Sequence, residues 1–77
     1  MTGLKTLIVV EDEFRIRDGL SRLIQRLNMG VKVIGEAENG LEGLKMIQDL
    51  QPDIVITDIR MPKIEGLEMI RKAREMN

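Results

Sequence analysis

Asp58 ends an apolar run, Ile54-Val55-Ile56-Thr57, and is followed by Ile59-Arg60-Met61-Pro62, a proline-marked turn. A second acidic stretch has the same form, in that Leu7-Ile8-Val9-Val10 runs directly into Glu11-Asp12-Glu13. Short β-branched runs of this kind read as strands buried on both faces, the habit of parallel sheets packed between helices. Carboxylates at the C-terminal ends of such strands lie along the edge where α/β proteins bind their ligands. Taken alone, Asp58 could simply cap the following turn, and that reading stays open. If the two acidic stretches converge, their like charges repel, and the cluster is tolerable mainly when a cation neutralises it. With no His and no Cys in the chain, the available ligands are oxygens, which suit a hard divalent ion such as Mg²⁺. A cation beside an exposed carboxylate favours phosphoryl transfer, where catalysis is mostly positioning and charge neutralisation.

Convergence depends on the elements that carry these residues. Thr6 to Val10 reads as a strand, and Phe14 to Asn28 as an amphipathic helix with Ile16, Leu20, Leu23, Ile24 and Leu27 on one face. Arg15, Arg17, Asp18, Arg22, Gln25 and Arg26 fall on the opposite, solvated face. Gly30 provides a left-handed helix stop. Val31 to Ala37 alternates Val31, Val33, Gly35 and Ala37 against Lys32, Ile34 and Glu36, which predicts a strand at the sheet edge with one more polar face. Asn39 can cap a helix that turns Leu41, Leu44, Ile47, Met46 and Leu50 inward. Gln51-Pro52-Asp53 stops that helix and starts the strand leading to Asp58, and Gly66 opens a last helix. There Leu67, Ile70 and Ala73 share a face, with Met69 and Met76 beside it. The order β-α-β-α-β-α implies a parallel sheet. Right-handed crossovers on opposite faces give a three-stranded sheet of order 2-1-3, and that order makes Asp12 and Asp58 neighbours at the switch point.

The 77 residues allow one domain with a thin core. Hydrophobic residues at 43% and charged residues at 32% are a globular composition, and 12 basic against 13 acidic residues leave a net charge of −1. Charge therefore gives no reason to expect non-specific nucleic-acid binding, and one Phe without Trp or Tyr provides no platform for stacking bases. The absence of cysteine excludes disulfides and thiolate metal sites. No export signal or apolar run near membrane-spanning length occurs, so a soluble, cytoplasmic protein with no membrane contact is expected.

Val9-Val10-Glu11-Asp12-Glu13, Ala37-Glu38-Asn39-Gly40 and Asp53-Ile54-Val55-Ile56-Thr57-Asp58-Ile59-Arg60-Met61-Pro62, with Gly66 behind, together resemble the receiver domains of two-component response regulators. The resemblance covers the whole chain and implies an α/β fold that is half of a flavodoxin-like doubly wound sheet. By it, Asp58 is the aspartate phosphorylated by a histidine kinase. Mg²⁺ would be held by the Asp12 and Asp58 carboxylates and the Arg60 backbone carbonyl, with Glu11 paired to Asp12 and acting through water. Glu11 stands where the family often has Asp. A whole receiver continues through two more βα units, which carry a Ser or Thr that contacts the phosphoryl group and a Lys that pairs with it. The chain is therefore expected to be a truncated receiver spanning 1–77, its parent regulating transcription through a DNA-binding output domain that is not in this sequence.

Two other classes compete with that reading. A small metal-dependent phosphatase or phosphotransferase would need a substrate pocket and a general acid or base, and without His or Cys the chain is expected not to be an enzyme. A half-fold that self-associates as a structural unit would instead need no phosphotransfer. The open edge of the third strand predicts a homodimer, paired in parallel as 2-1-3-3′-1′-2′ in preference to the antiparallel pairing that a two-fold axis perpendicular to the sheet would give.

Overall fold

β1 (Lys5–Val10) is the middle strand of a parallel sheet, hydrogen-bonded on one side to β2 (Val31–Ala37) and on the other to β3 (Ile54–Thr57), in the order β2-β1-β3. The computed structural model describes residues 4–27, 29–58 and 65–75. The expectations for Asn28, Arg60, Met61, Pro62 and Met76, and for the side chain of Leu67, lie outside those residues. Three helices complete the alternation: α1 (Phe14–Leu27), α2 (Gly40–Leu50) and α3 (Glu65–Glu75). The α/β class and the 2-1-3 order are those predicted.

β1 is buried because it is apolar on both faces and both faces are covered. Leu7 and Val9 point to the α1 side and pack with Ile24, Leu20, Val31, Val33 and Ile56. Ile8 and Val10 point to the other side and pack with Ala37, Met69, Leu44, Met46, Ile47, Val55 and Ile70, which come from β2, α2, α3 and β3. The two crossover helices thus lie on opposite faces, as the right-handed rule requires.

Several details depart from the sequence expectation. The strict alternation expected in β2 is broken, because pairing with β1 slips between Leu7 and Ile8, so that Leu7 faces Val33 while Ile8 faces Gly35. The extra residue, Ile34, joins the α2 side, and Val31 and Val33 therefore face α1 while Ala37 faces α2. On α1, Ile24 and Ser21 are buried and Leu20 half-buried, but Ile16, Leu23 and Leu27 are exposed. The helix lies on β1 and β2 along its Leu20-Ser21-Ile24 line, and no described element covers the other flank. Leu41 is 77% exposed rather than inward, because α2 turns the buried Gly40 and Gly43 to the interior instead. Leu50 is exposed for want of a covering element. β3 is half-buried, with Ile54 exposed, where burial on both faces was expected, since among the described strands only β1 pairs with it. In α3 the most buried side chain is Met69, with Ile70 and Ala73 half-buried.

Local chemistry sets the element ends. Gly30 closes the α1–β2 connection at φ 75°, and its carbonyl accepts the Lys5 N–H at 3.0 Å. The Asn39 side chain accepts the Glu42 N–H at 2.8 Å, the predicted cap of α2. At the start of the sheet, Thr6 and Asp53 exchange bonds: Asp53 Oδ2 accepts the Thr6 N–H at 2.8 Å and hydroxyl at 3.1 Å. The Thr6 oxygen in turn accepts the Asp53 N–H at 3.0 Å.

Two helix substitutions should move stability in opposite directions. An added Cβ at Gly43 would lie 2.6 Å from Met69 Sδ and 2.9 Å from Val10 Cγ2. Gly43→Ala should therefore cost about 2 kcal/mol of overpacking, more than the ~1 kcal/mol that Ala gains over Gly in a helix. The buried Ser21 hydroxyl has no hydrogen-bond partner among the described residues. Ser21→Ala should stabilise by about 1 kcal/mol through relief of that group and better helix propensity. Urea denaturation of both variants checks the two signs.

Candidate functional site

Parallel pairing in the register Val10 to Thr57 brings the strand ends of β1 and β3 side by side. The ladder continues one step further, where the Asp58 N–H donates to the Val10 carbonyl at 3.2 Å. The residues that follow these ends are Glu11, Asp12 and Asp58, and a carboxylate oxygen from each lies within 4.8 Å of the others. Three of the four residues expected to form the site therefore converge, while Arg60 lies outside the described residues.

The three carboxylates differ in setting. Glu11 is buried at 4% exposure, Asp58 is half-buried and Asp12 is exposed. Glu11 is held along its main chain and its side chain. Its N–H donates to the Ala37 carbonyl at 2.9 Å, its carbonyl accepts Arg17 Nη1 at 2.7 Å, and its Oε2 accepts the Glu13 N–H at 3.0 Å. Loss of hydration on burial pushes the Glu11 carboxyl above the usual range. A hydrogen bond with Asp12 and the negative charges of Asp58 and Asp12 push the same way, and the Glu13 N–H opposes them. Glu13 itself leaves the cluster exposed at the end of the triplet, its carbonyl accepting the Arg17 N–H that starts α1.

Arg17 does not belong to the solvated face on which helical periodicity placed it. Its side chain is only 13% exposed, with Nε 3.8 Å from a Glu36 carboxylate oxygen and the guanidinium 5.5 Å from the Phe14 ring centroid. The signal was present in the sequence, because Arg17 stands four residues before Ser21 and seven before Ile24, on the line that packs against the sheet. Arg22, read the same way, is solvated and pairs with Asp18 at 3.0 Å. Next to Asp58, the Thr57 hydroxyl is enclosed without a hydrogen-bond partner among the described residues.

An all-oxygen cluster with one member buried and its proton affinity raised fits a hard divalent cation, which would replace mutual repulsion with shared attraction. The partly exposed Asp58 carboxylate lies beside that position.

A family model described as the response regulator receiver domain matches residues 7–77. An uncharacterized transcriptional regulatory protein, YesN of Bacillus subtilis, is 42% identical over 66 residues, covering 86% of this chain and 18% of its own length. The solved signal receiver domain of a NarL response regulator from Mycobacterium tuberculosis superposes with a TM-score of 0.88 at 29% identity, over 97% of this chain and 60% of that one. A DNA-binding response regulator of the LuxR family from Staphylococcus aureus gives 0.85 at 33% identity, over 95% of this chain and 60% of that one. The chain thus spans less than a fifth of the length of YesN and three-fifths of each solved chain.

The buried Glu11 yields a test without any cation. Because its folded pKa is raised, ionisation costs stability as pH rises from the ordinary carboxyl range through the folded value. Glu11→Gln, which keeps an acceptor for the Glu13 N–H, should raise the melting temperature of the metal-free protein at neutral pH. The gain should vanish in acid, where Glu11 is protonated in both states, and thermal melts across pH measure it.

Proposed function

The chain belongs to the response regulator receiver domain family, and we propose that Asp58 is the phosphoacceptor of a two-component signalling protein. The observation that carries the reading is the meeting of Glu11, Asp12 and Asp58 carboxylates within 4.8 Å at the ends of β1 and β3. An oxygen of Asp58 forms the new P–O bond as the P–N bond of a kinase phosphohistidine breaks, and the imidazole takes up a proton. Asp12 and Asp58 would hold Mg²⁺ through their carboxylates, with Glu11 assisting and the Arg60 carbonyl in the role the family resemblance gives it. When bound, the cation offsets negative charge on the cluster and on the transferring group. The Asp58 N–H bond to Val10 fixes the nucleophile at the end of a paired strand.

The relatives support a transcriptional parent: YesN is named a transcriptional regulatory protein and the Staphylococcus aureus relative a DNA-binding response regulator. On this reading DNA is met through a separate output domain, and the kinase is the signalling partner. The 77 residues match three-fifths of a solved receiver domain, which supports reading them as its first three βα units, 1–77, in the flavodoxin-like fold. We read the unit as a phosphoacceptor in the cytoplasm, not as an enzyme for outside substrates. No helix among the described residues is long and apolar enough to cross a membrane.

Intact mass measurement after incubation with a small acyl phosphate and Mg²⁺ tests the site. Phosphorylation should fall on Asp58 and disappear in Asp58→Asn. The Lys and the hydroxyl that the resemblance places on later strands are not carried by these 77 residues. Each missing contact should raise the barrier by roughly 2 to 4 kcal/mol, by analogy with lost oxyanion donors. Modification should therefore be slow, and rapid, near-complete phosphorylation at Asp58 would show that the missing Lys and hydroxyl are not needed for transfer, while no modification at Asp58 would overturn the site.

A second reading rests on the outer edge of β3, which no described strand pairs, and on the exposure of Ile54 there. Alone in solution, the 77-residue chain should associate as a homodimer through this edge, two parallel β3 strands joining the sheets as 2-1-3-3′-1′-2′. Light scattering should report twice the monomer mass at micromolar concentration, and Ile56→Lys should abolish it. A folded monomer would sink the idea.

A further inference from the structure

We propose that Arg17 is a positioning residue for the acidic pocket, acting through the peptide that joins Glu11 to Asp12. This rests on the reading of Asp12 and Asp58 as cation ligands, and goes beyond it by naming what aims them. Asp12 is exposed, so packing does little to fix its carboxylate. Its place is set by the backbone from which it hangs. The Glu11 carbonyl and the Asp12 N–H share one planar peptide unit, so a bond that fixes the carbonyl fixes the plane and the direction of the Asp12 Cα. That bond comes from Arg17 Nη1 at 2.7 Å, a short, charge-assisted contact.

The guanidinium can do this because it is itself held from three directions. Its stem rises from α1, its Nε faces Glu36 on β2 at 3.8 Å, and its plane lies near the Phe14 ring at 5.5 Å. Nη1 bonds the carbonyl while the Nε side of the same rigid fork stays within ion-pair range of Glu36, so the group links β2 to the end of β1. The Glu11 N–H is fixed from the opposite side by Ala37 of β2. Glu11 is thus clamped at its N–H, carbonyl and carboxylate, and the clamp on the carbonyl is the one nearest Asp12. The guanidinium thus holds the main chain at the point where Asp12 leaves it.

The test compares the 77-residue protein with Arg17→Met, which keeps the apolar stem, and Arg17→Lys, which offers a single donor. Arg22→Met serves as a control on the solvated face. Without metal, amide exchange at Glu11 and Glu13 should speed about tenfold in Arg17→Met while Leu7 to Val9 keep their protection. With Mg²⁺ followed by NMR shifts of Asp12 and Asp58, affinity should fall about tenfold or more in Arg17→Met, the usual effect of losing a group that orients a ligand. Arg17→Lys should recover part of both effects, and Arg22→Met should show neither. Uniformly faster exchange through β1 with unchanged Mg²⁺ affinity would make Arg17 a packing residue and overturn the proposal. Asp58→Asn separates the two readings. If it abolishes Mg²⁺ binding while Arg17→Met binds like wild type, the site stands and the positioning role falls. If wild type shows no Mg²⁺ shifts at Asp12 and Asp58, the site reading falls, and the positioning role falls with it.

Discussion

The pairing of β1 with β3 in one register is the constraint on which everything else depends. Four consecutive β1 residues, Leu7 to Val10, are buried, and each has a Cα partner on β3 from Ile54 to Thr57. A slip by one residue would exchange the faces of every β3 side chain, moving Val55 from the α2 and α3 side to the α1 side and Ile56 the other way. It would also carry Asp58 away from the level of Glu11 and Asp12. The apolar complementarity of the two faces therefore fixes the acidic geometry. A hydrophobic preference spread over the strand holds three mutually repelling groups in place.

The division of labour is visible in Glu11. Its backbone completes β1 against Ala37, while its carboxylate is drawn out of water into a cluster that raises its proton affinity. An isolated placement of this kind would be destabilising, and local strain of that sort is commonly concentrated where a protein binds or reacts. Here it sits at the rim of the best-packed strand, whose buried side chains each contribute roughly 1.5 to 3 kcal/mol.

What the sequence revealed and what it hid follow the same physics. Strand and helix order, the 2-1-3 sheet and the meeting of Asp12 with Asp58 were legible, because they depend on apolar runs, alternation with helices and crossover handedness. The phase of β2 was not legible. Its slip opposite Leu7 and Ile8 arises between strands, and no property of Val31 to Ala37 alone announces it. The inward place of Arg17 was obscured because a charged side chain is ordinarily assigned to solvent, although its helical position favoured the sheet. Leu41 and Leu23 misled in the opposite sense: hydrophobicity identified them as core, but the helices present Gly43 and Ser21 to the interior instead. Arg60, whose place in the site came from family likeness, lies outside the described residues.

The exchange of bonds between Thr6 and Asp53 bears on the order of assembly. These residues are 47 positions apart, and joining them closes a long loop through α1, β2 and α2. Loop-closure entropy grows only slowly with length, so the helices between them, by shortening the chain, reduce what closing this contact costs. It lies at the end of the sheet opposite the acidic pocket. The β1–β3 ladder can thus advance from an end where the Asp53 carboxylate is satisfied by Thr6 toward the end where charges repel. Zipping in that direction leaves the carboxylates to come together last, when the apolar faces are already joined.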